Sequence, residues 1–413
     1  MDLKKNVFWN TFGTVVFLAA QWLTTILIVR ITDNYEDAGL YSLAMSISNV
    51  FYMIAIYNVR NFQVSDINEE YKNEDYIFHR MTVMLLALLA CVIFVVFTYS
   101  DKYTMGVLIL YMVYRLGESY VDVLHGIDQR LDRLDIVGKS YMIRGLLMLI
   151  VFILCEYFTG NILITILAMA VSSYVAIILF DVRQTNIIAK ISINIRFDKI
   201  RKLFVICFPL LIYGIALNLQ ASVPRIITEK ILGKELLGYY SSVATPAVIV
   251  QSFASVIFAP FITTFTRLYQ EKNKLEYRKL ALKMIGFCIL LGVTAYFGSY
   301  CFGDFVLDKI LYRGKGITEY CYLLDTTMIC TALVALIWFI AILLTIARCN
   351  ILLSVSTVIG VITEAFVGQC MIAKYRLDGI NWSLIISYIV VIIIMGMGAI
   401  IKFGKYFSEV EYK

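Results

Sequence analysis

Twelve long apolar runs punctuate this chain, and they limit what it can fold into more than any other feature. They lie at 7–29, 38–57, 81–98, 105–125, 140–158, 162–180, 203–223, 237–258, 280–300, 321–347, 351–373 and 382–401. A bilayer core about 30 Å thick needs roughly 20 apolar residues to cross it as a helix. Lipid-facing strands would instead alternate over segments of about ten residues. The runs therefore predict an all-α polytopic membrane protein with twelve transmembrane helices. Composition agrees: 61% of residues are hydrophobic and 16% charged, with mean hydropathy +0.81. A soluble domain is nearer half apolar and a quarter charged, and a disordered chain is more polar still.

Lysine and arginine in the connecting segments set the expected orientation. With the N-terminus inside, the inner segments hold 24 of the 36 basic residues and the outer loops hold ten. Both termini are thus expected in the cytoplasm. The net charge of +6 serves topology and contact with anionic lipid, and nucleic acid is not an expected partner. The opening Met1–Lys5 and the run after it look like a secretory signal. That run is too long and no small-residue cleavage site follows, so it is expected to stay as the first span. The nine cysteines lie mostly within runs, where thiols act as small hydrophobes. Cys301 and Cys321 flank one outer loop and are close enough in sequence to pair, but free thiols are the expectation.

A basic linker at 181–202 divides the runs six and six, giving lobes at 1–180 and 203–413 around an expected central cavity. The lobes share a local pattern. Arg30 to Ser46 reads RITD, then AGLYSLAMS, and Arg225 to Thr245 reads RIITE, then LGYYSSVAT. Internal repeats with a site near the midplane are a common construction in secondary transporters.

Several chemistries find no support. Gly138-Lys139-Ser140 ends like a phosphate-binding loop, yet Arg133 stands where that motif needs glycine, and no strand precedes it. No metalloprotease or serine-hydrolase motif is present, and two histidines make a multi-histidine metal site improbable. No cofactor is expected. Transport through conformational change is the class left.

Charged residues at membrane depth are costly and usually face a bundle interior or a watery cavity. The fourth run carries Tyr111, Arg115, Glu118, Asp122, His125 and Gln129 at spacings of 4, 3, 4, 3 and 4, all on one helical face. The reading is a stripe lining an aqueous cavity; the plainer alternative is a self-neutralised Arg115–Glu118 pair. Arg144 sits in the next run. Gln21 in the first run, Asn49 and Arg60 along the second, and Arg225 beside Pro224 in the seventh are further polar candidates. The uncharged ones also suit simple helix bridging. Glu364 is a lone acid in the eleventh run and a candidate for cation coupling.

The segment KNVFWNTFGT, Lys5 to Thr14, resembles the start of bacterial polysaccharide (Wzx-type) flippases. So do DAGLYSLAMSISN, Asp37 to Asn49, and NVRNFQVSD, Asn58 to Asp66. That family belongs to the multidrug/oligosaccharidyl-lipid/polysaccharide exporter superfamily. The resemblance implies two six-helix lobes that open alternately to each side of the bacterial cell membrane. It also implies a substrate of undecaprenyl-pyrophosphate-linked oligosaccharide, flipped from inner to outer leaflet for capsule, O-antigen or similar surface polysaccharide, beside other glycan-assembly proteins. Arg60, Arg115, Arg144 and Arg225 are the cations available for a pyrophosphate, with Gln21 and Asn49 as sugar contacts. Glu118, Asp122, His125 and Glu364 are the candidates for coupling to H+ or Na+. The competing readings are a cation-coupled drug exporter of the same superfamily and a membrane glycan polymerase or ligase, an enzyme. Acids dominating the cavity would favour the exporter; a catalytic outer loop around Lys309, Arg313 and Lys315 would favour the enzyme.

Overall fold

The computed structural model describes residues 3–32, 34–66, 70–189, 196–313 and 315–411, and among them it is helical with no strand. In chain order the helices are α1 (Leu3–Thr32), α2 (Tyr35–Ile56), α3 (Val59–Ser65), α4 (Asn73–Thr98), α5 (Lys102–Arg130), α6 (Leu134–Thr159), α7 (Ile162–Ala176) and α8 (Arg183–Ile188). They continue as α9 (Phe197–Leu232), α10 (Lys234–Val243), α11 (Thr245–Gln270), α12 (Lys274–Asp304), α13 (Leu323–Ile346), α14 (Asn350–Tyr375) and α15 (Leu377–Glu411). A π-helical stretch, Ile177–Val182, joins α7 to α8, and another, Phe305–Leu311, follows α12. Side-chain caps mark several starts. Asn34 accepts from the Glu36 N–H, Asp101 from the Tyr103 and Thr104 N–H groups, and Asn161 from the Leu163 N–H. Each satisfies donors that the first helical turn leaves without a partner.

Among the described residues nine helices are long and apolar enough to cross a bilayer, or ten when the bent pair Phe197–Phe208 and Leu211–Leu232 is taken as one span. The other two expected runs fall on α5, whose charges dilute its apolarity, and on α10 and α11, which break at Ala244. The all-helical, multi-pass class is thus established. The nine cysteines are free thiols, Cys301 exposed and Cys321 buried.

The chain forms two compact units, Met1–Asn218 and Leu219–Lys413. The boundary falls inside α9, so its first half packs with the first unit. The expected linker at 181–202 begins inside helix, because α7 runs on through the π stretch and α8 to Ile188; residues 190–195 lie outside the described residues.

In the first unit α1 and α6 touch backbone to backbone. A Cβ added at Gly13 would collide with the Gly138 carbonyl, and one at Gly138 with the carbonyl of Trp9. A Cβ at Gly145 would come within 2.9 Å of the Phe17 Cα. Small residues are what allow membrane helices to approach this closely. Gly138, which in sequence ends a false phosphate-loop motif, is therefore a helix-packing residue. The contact sets Phe17 and Gln21 of α1 opposite Tyr141 and Arg144 of α6. Replacing Gly138 with Ala should destabilise the folded protein by about 1–3 kcal/mol, the usual cost of overpacking. Gly286→Ala is the control, because nothing lies within 4 Å of the added methyl. Thermal denaturation in detergent, compared between the two variants, checks this.

Candidate functional site

Helix α5 is the centre of the first unit and packs against α2, α3, α4, α6, α7 and the π stretch. That position follows from its stripe, since a helix carrying this many ionisable groups is stable only where neighbours supply partners. The partners are present. Arg115 donates to Glu118 through Nη1 and lies with its guanidinium 4.0 Å from the centre of the Tyr52 ring, a cation–π contact. Glu118 also accepts from the Tyr114 hydroxyl at 3.1 Å and from Gln21 Nε2 at 3.4 Å. One turn on, Asp122 receives Arg60 at 3.2 Å and Arg80 at 2.8 Å, one on each oxygen. Arg60 also donates to Gln129 at 3.0 Å. Arg80 is 1% exposed and completes its fork on the Ala55 carbonyl at 3.0 Å and the Ser119 hydroxyl at 3.4 Å.

These groups line a cleft of about 180 Å³ within the first unit, walled by Phe17, Gln21, Tyr52, Arg115, Glu118, Asp122, His125, Tyr141 and Arg144. Arg144 differs from the other cations. Its guanidinium rests over Phe17 at 5.3 Å and Tyr141 at 5.6 Å. Its Nε and Nη1 are buried without a hydrogen-bond partner, and it forms no ion pair among the described residues. Four guanidiniums, from Arg60, Arg80, Arg115 and Arg144, thus stand around two carboxylates, those of Glu118 and Asp122. The surplus is two positive charges, suited to an anion.

The structure brings together Gln21, Arg60, Arg115, Glu118, Asp122, His125 and Arg144 in one neighbourhood. Asn49 is half-buried on α2 and does not line the cleft. Arg225 and Glu364 belong to the second unit. Arg225 is half-buried in α9. Glu364, on α14, is buried and accepts from the Ser383 hydroxyl at 2.7 Å, with its other oxygen unpartnered. Nearby, Gln220 donates to Ser387 at 3.3 Å and Tyr240 to Asn381 at 2.8 Å.

Three groups escape the sequence reading. Arg80 is counted there among the inner-loop cations, but α4 starts at Asn73 and carries it two turns inward. Asp181 is taken as the first linker residue, yet it is buried with its Oδ1 3.6 Å from His125 Nε2. Tyr52 lies within the second run and is not among the polar candidates drawn from the sequence. A spacing of four from Ser173 through Ile177 and Asp181 to Thr185 was the available signal for Asp181.

This fold and cleft define a multi-pass helical membrane protein with an arginine-rich interior site. The chain belongs to the polysaccharide biosynthesis protein family (Polysacc_synt), whose model matches residues 3–268. It is 26% identical over 318 residues to the capsular polysaccharide biosynthesis protein CapF of Staphylococcus aureus, covering 76% of this chain and 78% of that one. Among solved structures, an inward-facing multidrug resistance MATE family transporter of the MOP superfamily matches at TM-score 0.70 and 9% identity, over 97% of this chain and 98% of that one. Lipid II flippase MurJ in an inward closed conformation matches at TM-score 0.69 and 13% identity, over 95% and 90%. At such identities these two likenesses speak for the fold.

Removing the shared anion should expose the cost of the buried network. Asp122→Ala leaves Arg80 buried without its carboxylate and is expected to destabilise by about 3–5 kcal/mol. Adding Arg80→Met should restore much of that loss. Denaturation of the single and double variants in detergent reads both effects.

Proposed function

We propose that the protein flips an undecaprenyl-pyrophosphate-linked oligosaccharide from the inner to the outer leaflet for cell-surface polysaccharide assembly. It would work by alternating access and without covalent chemistry. The observation that carries this reading is the cleft's surplus of guanidinium groups, with Arg144 among its lining residues and two of that side chain's N–H donors unpaired. A diphosphate is matched by planar forks of this kind, which bind its oxygens two at a time. The cleft is smaller than the roughly 300–1,000 Å³ of a drug-sized pocket. That suits one phosphate group held locally while the lipid tail stays in the bilayer. Family membership and the likeness to CapF support the polysaccharide role.

The cation-coupled drug exporter is less well supported, because both acids in the cleft are already committed to arginines. Coupling to H+ or Na+ remains part of the proposal, with Glu118, Asp122, His125 and Glu364 as the candidate groups. Gln21, Arg60 and Arg225 are proposed as secondary substrate contacts.

Arg144 offers a clean test, since removing it strands no carboxylate. Arg144→Ala should nearly abolish surface glycan at normal protein levels, and Arg144→Lys should weaken it. Arg115→Ala should do the same, with Glu118→Gln added to relieve the orphaned acid. Full glycan display by both alanine variants excludes the role.

We also propose that both termini face the cytoplasm, on the distribution of loop cations. Lys72 and Lys274 are exposed and flank α4 and α12 on the expected inner side. Single cysteines at these positions, in a background cleared of native thiols, should resist a membrane-impermeant reagent in intact cells. Labelling from outside reverses the orientation.

A further inference from the structure

On the far side of His125 from the cleft lies a second group of buried ionisable residues. His125 Nε2 is 3.6 Å from Asp181 Oδ1, and the imidazole meets the Tyr141 ring edge-on with centroids 4.9 Å apart. Asp128 follows one turn later on α5, with Thr185 of α8 beside it. All four residues, His125, Asp128, Asp181 and Thr185, are at most 1% exposed. Both His125 nitrogens, both Asp181 oxygens, Asp128 Oδ1 and the Thr185 hydroxyl lack a hydrogen bond.

The π stretch is what places Asp181 here. Ser173, Ile177, Asp181 and Thr185 are four apart three times running, and all four are buried. An α-helix of 3.6 residues per turn would rotate such a series away from one face. The wider π turn absorbs the drift, and π stretches recur at functional sites.

Among the described residues no Lys or Arg forms an ion pair with the two acids. The charged and titratable groups around them are Asp122 on α5, Arg60 on α3, Tyr141 and Arg144 on α6, and Arg133 in the turn before α6. Arg60 is held by Asp122 and Gln129, and Arg133 by both oxygens of Asp135. Arg144 stands on its two aromatic rings. Burying this much carboxylate without a paired Lys or Arg is costly, and a bound proton removes that cost.

We propose that His125, Asp128 and Asp181 form a proton-binding site that sets the charge of the cleft. A proton from cleft water passes to His125, which lines the cleft, and rests on an Asp181 or Asp128 oxygen as an O–H bond. The consequence is a charge balance. The cleft's surplus of two positive charges is cancelled if both aspartates ionise, and each proton bound restores one unit. Anion binding and proton binding then favour each other reciprocally, typically by 5–150-fold. This coupling rests on the cleft being the diphosphate site; the proton site itself does not.

The test uses full-length protein in nanodiscs. Infrared difference spectra between about pH 5 and pH 8, the histidine range, read the C=O band of protonated carboxyl groups. Glu156 and Glu364 contribute equally in all samples. Asp128→Asn and Asp181→Asn should each remove part of the titrating band, and the double variant more. Each single backs up the other should one fail to fold, which melting reveals. An unchanged band in both singles overturns the site. Calorimetry with inorganic pyrophosphate, in buffers of different ionisation heat, should show proton uptake on binding to the wild type, less in Asp181→Asn and none in the double variant. Pyrophosphate binding with no proton uptake overturns the coupling. A titrating carboxyl band with no pyrophosphate binding overturns the diphosphate reading and the coupling, and leaves the proton site supported.

Discussion

The burial of one heavily charged helix governs the first unit. Polar residues spaced along one face of α5 need partners away from bulk water, and α1, α2, α3 and α4 supply them through Gln21, Tyr52, Arg60 and Arg80. The tightest point is Asp122, where Arg60 and Arg80 share one carboxylate. A lone buried guanidinium such as Arg80 would be untenable. Its two terminal nitrogens instead donate to Asp122, the Ala55 carbonyl and Ser119. Because the Ala55 carbonyl is the last-turn acceptor of α2, the same guanidinium also ties α2 to α4 and α5.

That network explains why the cleft persists as an open, polar space. Gly13, Gly138 and Gly145 let α1 and α6 close on each other, which fixes one wall and leaves Arg144 on it. The other wall is α5, whose side chains are held by ion pairs and cannot swing in to quench Arg144. Glu118 is occupied by Arg115, Tyr114 and Gln21. Asp122 is occupied by two arginines. A preorganised site of this kind needs little rearrangement when an anion arrives.

Much of this was legible in the sequence, and the parts that were not have physical reasons. Length and apolarity of the runs reveal helices, and the 3.6-residue period reveals that Arg115, Glu118, Asp122 and His125 share a face. Periodicity is a property of one helix, however, and partners come from others. Nothing local distinguishes Arg80, next to a membrane run, from the snorkelling cations common at such places. Asp181 is missed because the π turn changes the period on which the reading depends. The α5 run shows the converse problem. Its charges mark it as functional, and those same charges dilute its signal as a span. Gly138 is misleading in a third way, since a glycine needed for helix contact mimics one needed for a phosphate loop.

The repeated hairpin sharpens the contrast between the units. Tyr41 and Tyr240 occupy matching places in the two repeats, and both are buried. Tyr41 meets the Thr24 hydroxyl at 3.3 Å and the edge of Tyr111 at 5.4 Å, so it abuts the charged stripe of α5. Tyr240 donates to Asn381 at 2.8 Å, whose amide donates in turn to Thr326 and Thr327, and Asn381 stands two residues from the Glu364 partner Ser383. Similar local sequence thus sits in different polar surroundings, a cluster of ion pairs in one unit and an amide and hydroxyl network around Asn381 in the other. An internal repeat constrains backbone packing, because glycine and tyrosine at those positions set how closely helices meet. It leaves the charge on neighbouring helices free to diverge, and function follows the charges of the site more than the shared fold.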